Sequence, residues 1–555
     1  MSTIPKAASR PNIAAQYDAI VVGAGFAGLY MLYRLLKLGM RVTVLESGSG
    51  VGGTWFWNRY PGARCDVESL EYSYSFSDEL QQEWSWTERY ATQPEILSYL
   101  HHVAERFDLN QHIQLETRVT SAEFDEVANA WTLKTDRDDV VTARYCIMAT
   151  GCLSTISKPK VPGLEQFRGK THYTGLWPTE KVDFTGLRVG VIGTGSSAIQ
   201  AIPEIAKQAA HLYVFQRTAN YSIPAHNAPL EPDHVQKIKN DYPQLRKKAR
   251  ASPAGVAGFG VPDKSVLADE PQEREQTLQK RWEVGGAGFL RAYNDVVINE
   301  ASNRVVADFV RGKIRQRVRD PEVAEQLIPT FFIGTKRVCV DTQYFETFNR
   351  ENVTLVDVKR APILEITAHG VRTENEQYKL DALVLATGFD AMTGALLAID
   401  IRTTNGISLR RLWDHGPRTY LGLMTAGLPN MFMITGPGSP SVLSNVVVSI
   451  EQHVEWIADC LAHLGDKGIT RIEAEEKAQE DWVAHVNEVA DKTLLPRGAS
   501  WYVGANIPGK PRVFMPYIGG VGVYRAKCDE VASEGYSGFR LSVASAGSSI
   551  GQVGD

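Results

Sequence analysis

Twice along this chain an apolar run of strand length empties into a glycine loop, and the loop opens directly onto an apolar helix. The first unit is Asp18-Ala-Ile-Val-Val22, then Gly23-Ala-Gly-Phe-Ala-Gly28, then a helix expected over Leu29–Leu38 that Gly39 ends. A second strand follows over Arg41–Leu45. The other unit is Leu187–Ile192, then Gly193-Thr-Gly-Ser-Ser-Ala198, a helix, and a strand over Leu212–Phe215. A strand, a helix and a further strand in this order make a β-α-β unit with parallel strands. Two such units predict an α/β fold of two Rossmann-like doubly wound nucleotide-binding domains.

A glycine loop lets the backbone approach a pyrophosphate, and the helix behind it presents free N–H groups and a positive dipole end. Gly23, Gly25 and Gly28 have this context. Glu46 ends the second strand, about 20 residues beyond them, where a carboxylate accepts hydrogen bonds from ribose hydroxyls. The second loop, Gly193, Thr194, Gly195, Ser196, Ser197 and Ala198, differs at the strand end. There the chain reads Gln216-Arg217-Thr218, with no acid. A guanidinium suits a 2'-phosphate. The first site is therefore assigned to FAD and the second to NADPH, which passes a hydride to the flavin. Ala149-Thr-Gly151 and Ala386-Thr-Gly388 each follow an apolar strand and look like the returns between the nucleotide units.

With 555 residues the chain exceeds one simple domain. The boundaries expected are 1–155 for the first part of the FAD domain and 156–389 for the NADP domain. A helical insertion spans about 225–332, where charged residues fall at helical spacing around apolar ones. Residues 390–541 return to the FAD domain, and 542–555 form a Ser/Gly/Ala-rich trailing tail. The net charge is -5 and no basic run stands out, which argues against a nucleic-acid partner. No apolar stretch approaches the roughly 18 residues of a membrane span. The first 16 residues carry no signal-peptide core, and no metal motif is read. The six cysteines are scattered with no C-x-x-C pair, so free thiols and a cytoplasmic location are expected. Without a redox pair the flavin's electrons need another acceptor, and O2 is the natural one.

Here a resemblance enters. Gly53-Thr-Trp-Phe-Trp-Asn-Arg-Tyr-Pro-Gly-Ala-Arg-Cys-Asp66 matches the G-x-W-x-x-x-x-Y-P-G-x-x-x-D signature of Baeyer–Villiger monooxygenases. Phe331-Phe-Ile-Gly-Thr-Lys-Arg337, Ala386-Thr-Gly-Phe-Asp390, Gly436-Pro-Gly-Ser-Pro-Ser-Val-Leu-Ser444 and Ala499-Ser-Trp-Tyr-Val-Gly-Ala-Asn-Ile-Pro-Gly509 are also similar to that family. The likeness covers nearly the whole chain and is nearest to the phenylacetone and steroid monooxygenase branch. It implies that NADPH, O2 and a ketone yield an ester or lactone through a C4a-peroxyflavin. It implies catalytic roles for Arg337, the cation beside the oxygen adduct, and Asp66, which pairs with it. FAD contacts would include Gly53, Thr54, Trp55, Tyr72, Val119 and Val446. Arg64, Gln200, Lys336 and Trp501 would join the NADP site. Cys152, Ser441, Val442, Leu443, Ser444 and Trp501 would line the ketone pocket. The enzyme would act as a monomer or weak oligomer.

One segment departs from the family. Its F-x-G-x-x-x-H-x-x-x-W-P fingerprint reads Phe167-Arg-Gly-Lys-Thr-His-Tyr-Thr-Gly-Leu-Trp-Pro178 here, with Tyr173 at the histidine position and His172 one place early. An aromatic contact by Tyr173 and partial substitution by His172 are expected. Two other readings remain open: a class B flavin monooxygenase that oxidises amines or sulfides, and a nucleotide-binding protein without turnover.

Overall fold

The computed structural model describes residues 15–260 and 262–543. Strand β1 (Tyr17–Val22) runs into helix α1 (Phe26–Lys37), and strand β2 (Val42–Leu45) pairs with β1 in parallel. Strand β3 (Arg188–Ile192), helix α2 (Ser196–Ala206) and strand β4 (His211–Gln216) repeat the arrangement. Each helix starts inside its glycine loop, so α1 begins at Phe26, ahead of the expected Leu29. Gly28 therefore sits in the first helical turn. A Cβ there would overlap the Gly23 carbonyl oxygen, so the helix meets the strand end only if this residue is glycine.

The two units head two separate sheets. The first has eight strands, in the order Asp400–Arg402, Val119–Asp125, Ala130–Thr135, Val140–Met148, β1, β2 and Ile113–Gln114. Met431–Met433 pairs with Val140–Met148 as the eighth. Strands from both ends of the chain thus share this sheet. The second is a five-stranded parallel sheet, in the order Val353–Asp357, β4, β3, Ala382–Leu385 and Lys170–Tyr173. Its three inner strands are mostly buried and rich in apolar residues, as the middle of a parallel sheet requires, whereas the edge strands Lys170–Tyr173 and Val353–Asp357 are more exposed and polar. The chain crosses between the sheets twice, side by side. Ile156 bridges Phe389, Ser157 N–H donates to Gly388 O at 2.8 Å, and Asp390 N–H donates to Thr155 O at 2.8 Å.

β4 and Val353–Asp357 are neighbours in the sheet, yet a helical layer separates them in sequence. It holds helices Pro232–Ala251, Pro271–Val284 and Glu300–Arg317. Its core gathers Leu278, Trp282, Phe289, Val306 and Val310. A short parallel pair, Ser222–Pro224 with Cys339–Asp341, closes its foot. At the far end Phe539–Ser542 pairs with Arg471–Ala474, so Ser542 ends a strand and does not begin a tail. The remainder of that expected tail, 544–555, lies outside the described residues. Among the described residues no helix is long and apolar enough to cross a membrane, and no cluster fits a metal ion.

His172 and Tyr173 lie on opposite faces of an edge strand, because successive side chains alternate. His172 packs on Trp177 at 5.1 Å and on Phe184 at 6.0 Å, whereas Tyr173 joins the cluster of Phe215 and Leu385. His172 therefore cannot take over contacts from position 173, and the expected partial substitution fails. The Trp177 backbone N–H donates to Trp57 O at 3.3 Å.

Two glycines of the loops predict opposite outcomes. Gly28→Ala should cost about 1–3 kcal/mol through overpacking against a strand carbonyl. A Cβ on Gly195 would meet nothing within 4 Å. Gly195→Ala should change stability by no more than about 0.5 kcal/mol. Thermal melting of the two variants checks both; an equal loss would mean that the loops do not pack as described.

Candidate active site

The first loop is built around close backbone approaches. Gly23 has φ 106°, and a Cβ there would lie 2.6 Å from Ala149 O. Gly193 has φ 112° and would clash with Ala386 O in the same way. The two Ala-Thr-Gly returns are thus the strand ends against which the first glycine of each loop is pressed, a stronger role than their sequence conveyed. Gly25 and Gly195 precede the helices with nearly equal dihedrals, φ -85° and -82°, and neither helix has a side-chain cap. The first-turn amides at both sites are accordingly available to a phosphate.

A second glycine segment backs onto the first loop. Gly53, at φ 53°, would place a Cβ 2.9 Å from Gly25 Cα. From there a short helix, Thr54–Trp57, carries exposed Thr54 and buried Trp55. Trp55 Nε1 donates to the Tyr72 hydroxyl at 3.1 Å. The Glu46 carboxylate accepts from Ala24 N–H at 2.7 Å and from Gly48 N–H at 2.6 Å. It staples the loop, and an ionised carboxylate has further lone pairs for a ribose hydroxyl. Its backbone carbonyl takes Thr117 N–H at 2.8 Å, which brings buried Val119 to the same edge. Half-buried Val446 opens helix α3 (Val446–Asp466).

At the second loop, Thr194 Oγ1 donates to Thr218 O at 2.8 Å. Ser196 Oγ lies 3.2 Å from Cys339 Sγ. Arg217 and Thr218 are exposed at the strand end. Burial first, and then the charge of Arg217, pull the Lys336 ammonium below its ordinary pKa. Lys336 also lies over the Phe331 ring at 4.7 Å. Among the described residues neither cation has an ion-pair partner. The two cations thus repel one another. Gln200 is differently engaged: its Oε1 accepts from the Tyr60 hydroxyl at 2.8 Å, and its Nε2 donates to Arg64 O at 3.0 Å. Arg64 Nη1 pairs with Glu88 at 2.9 Å. Gln200, Arg64 and Ser197, beside Tyr60, thus form the seam between the two units.

In the cleft at this seam Arg337 and Asp66 meet. Nε donates to Oδ2 and Nη2 to Oδ1, each at 2.8 Å, a two-pronged pair. Nη1 donates to Val442 O at 2.8 Å. A guanidinium has five N–H groups; these three bonds leave two, and the Tyr502 hydroxyl engages one of them. The Asp66 charge raises the Arg337 pKa against the burial that would lower it. Burial pushes the Asp66 carboxyl up, but the charge and hydrogen bonds of Arg337 outweigh this and hold it low. The side chains stay 31% and 22% accessible, so the pair borders open space.

Val442 packs in one cluster with Cys152, Leu443, Trp501 and Tyr502. Cys152 Sγ donates to Thr435 O at 3.2 Å, and burial raises its pKa. Ser441 is fully buried. The Ser444 hydroxyl bonds to Ser441 O at 2.9 Å and lies 2.7 Å from Ser449 Oγ, so it is satisfied within the protein. Tyr502 escaped the sequence reading, although it lies inside a quoted motif. Burial pushes its pKa up to about 12 while nearby Arg337 pulls it down, so it stays a neutral phenol whose oxygen accepts from the Arg337 guanidinium. Tyr60, the tyrosine of the signature, also lies against the site, as does Cys339, which gave no sequence signal of its own.

Asp66→Ala should leave Arg337 without its counter-charge and cost about 3 kcal/mol. A fall in Tm checks this; an unchanged melting curve would show that the pair contributes nothing.

Residues 20–281 match the pyridine nucleotide-disulphide oxidoreductase family, and all six cysteines are free. A phenazine N-monooxygenase of Lysobacter antibioticus is 43% identical, covering 96% of this chain and 98% of the relative. A Baeyer–Villiger monooxygenase of Pseudooceanicola batsensis is 41% identical over 95% of this chain and 96% of its own length. A solved structure of an oxidised steroid monooxygenase bound to NADP superposes with TM-score 0.91 at 50% identity, covering 95% of this chain and 99% of that one. Likeness of this order over nearly the whole of each sequence places the chain in the Baeyer–Villiger monooxygenase family.

Proposed function

We propose that the protein is an FAD- and NADPH-dependent monooxygenase that converts a ketone to an ester or lactone. Ketone, O2, NADPH and a proton give the ester, NADP+ and water. The observation that carries this is the Arg337 guanidinium, fixed by Asp66 and Val442 between two nucleotide loops and partly accessible.

The residues suit both cofactors. Gly23, Gly25, Gly28, Glu46, Gly53, Thr54, Trp55, Tyr72, Val119 and Val446 would hold FAD. Arg64, the 193–197 loop, Gln200, Arg217, Thr218, Lys336 and Trp501 would hold NADPH. NADPH would supply the hydride, and FAD the redox chemistry that activates O2. Arg337 then does work that only a permanent cation can do. It stays charged at any working pH and stabilises negative charge that develops on the oxygen attacking the carbonyl. Asp66 fixes the plane of the guanidinium. Cys152, Val442, Leu443 and Trp501 present an apolar wall that positions the ketone and excludes water, which strengthens the field of Arg337. Six unpaired cysteines suit a reducing compartment, the cytoplasm.

The N-monooxygenase relative favours a second reading, oxygen transfer to an aromatic nitrogen. That transfer needs an electrophilic oxygen and no cation to stabilise an attacking anion. One assay separates the readings. Purified yellow protein is given NADPH with a panel of ketones or with phenazine, and products gaining one oxygen are identified by mass spectrometry. Ketones should accelerate NADPH consumption and yield esters. Arg337→Ala should lower ester formation by about 100-fold or more, the scale seen when a preorganised charge donor is removed, while NADPH oxidation continues. Phenazine oxidation with no ester from any ketone would overturn the leading reading. Separately, Arg217→Leu and Lys336→Asn should each raise KM for NADPH by about tenfold, the worth of one charge-assisted contact. KM for NADH should hardly move; equal effects on both coenzymes would remove these residues from the 2'-phosphate.

A further inference from the structure

Two turns behind the substrate loop contain residues that the backbone disfavours. Leu421 at φ 56° and Thr435 at φ 58° are both left-handed and both buried. For a β-branched residue such as Thr435 that conformation is a genuine outlier. The turns touch through glycines. A Cβ on Gly436 would overlap Gly422 O, and one on Gly422 would lie 2.8 Å from Ser439 N.

One pair of side chains ties both turns. Thr435 N–H donates to His453 Nδ1 at 2.8 Å. His453 Nε2 lies 2.9 Å from the Tyr524 hydroxyl, which donates to Leu421 O at 2.5 Å. Because Nδ1 accepts, the ring proton sits on Nε2 and is donated to the phenol oxygen. Every group in the chain is then matched. His453 belongs to α3, and Tyr524 to helix α4 (Val521–Ser533). Burial, aided by the Arg525 charge, pushes the imidazole pKa down to about 3, so Nδ1 stays an acceptor.

The constraint passes from Thr435 into the site. Its carbonyl accepts the Cys152 thiol proton. The loop it starts reaches Val442, whose carbonyl takes Arg337 Nη1. Between these points Thr419 Oγ1 donates to Pro437 O at 2.6 Å and Trp482 Nε1 to Gly438 O at 3.1 Å.

We propose that His453 and Tyr524 are positioning residues: by holding Thr435 and Leu421 left-handed they fix the Cys152 wall and the Val442 carbonyl that orients Arg337. This rests on the ketone reading above. The test compares His453→Leu, Tyr524→Phe, Thr435→Gly and the double variant Thr435→Gly/His453→Leu, each as flavin-loaded enzyme, by ketone kinetics and by melting. His453→Leu should raise ketone KM about tenfold, equivalent to ~1.4 kcal/mol, with kcat changed less than about twofold. Tyr524→Phe should do the same to a smaller degree. Glycine adopts φ 58° without steric cost. The double variant should therefore fall within about twofold of Thr435→Gly alone, a non-additive pair. The proposal is overturned if the two effects multiply, or if His453→Leu lowers Tm while ketone KM stays at the parent value. If His453→Leu does not fold, Tyr524→Phe alone and combined with Thr435→Gly decides by the same criteria. If the parent enzyme turns over no ketone, the ketone reading fails; suppression of the Tm loss by Thr435→Gly still tests the coupling.

Discussion

The bond between Arg337 and Asp66 spans 271 positions in sequence and joins parts of the chain that fold as different layers. Asp66 follows the glycine segment that backs onto the first nucleotide loop. Arg337 lies at the exit of the helical layer, beside the strand pair that closes it. Val442, which takes the third bond, comes from the part that returns to the first sheet. A cleft with a fixed cation therefore exists only when three regions have docked. The geometry also sets the chemistry. Bonds to Asp66, Val442 and Tyr502 hold the guanidinium in place, and one of its five N–H groups is left for substrate or cofactor oxygen. A lysine would carry the charge but could not be held in a plane by two parallel bonds.

The cleft depends in turn on two loops made by the same physical device. In each, the first glycine takes a positive φ because a neighbouring strand end leaves no room for a Cβ, and the helix begins without a side-chain cap. The differences between the loops matter as much. The first has Glu46, a carboxylate that staples its backbone. The second ends at Arg217 with Lys336 nearby, two cations without an ion-pair partner among the described residues. One loop is finished within the protein, and the other keeps a charge imbalance that an anionic ligand would relieve. The seam of Tyr60, Arg64 and Gln200 joins the two units, although the resemblance assigns Arg64 and Gln200 simply to cofactor contact.

Local signals were legible where short-range chemistry suffices. Strand–loop–helix order, Glu46 and Arg217 followed from residue type and spacing, and the long signature ending at Asp66 led to the pairing with Arg337. Less legible were features that depend on which surface a side chain meets. Gln200 turned to the Arg64 carbonyl, the Arg64 side chain to Glu88, and Ser444 inward to Ser449. His172 and Tyr173 are adjacent in sequence and lie on opposite faces of a strand, so neither can stand in for the other. His453 has ordinary neighbours in sequence, and Tyr502, though inside a family-like motif, meets Arg337 only through packing.

By itself the sequence determined two β-α-β units, a carboxylate at one strand end, an arginine at the other, and the motifs that carry the family likeness. These follow from periodicity and from the steric needs of glycine, which act over a few residues. Tertiary structure alone decided which carbonyl meets Arg337, which residues seal the seam, and which side chains hold Thr435 in a disfavoured conformation. Those contacts join residues tens to hundreds of positions apart, and no local rule of spacing specifies them; they arise only when separately folded layers close on one another.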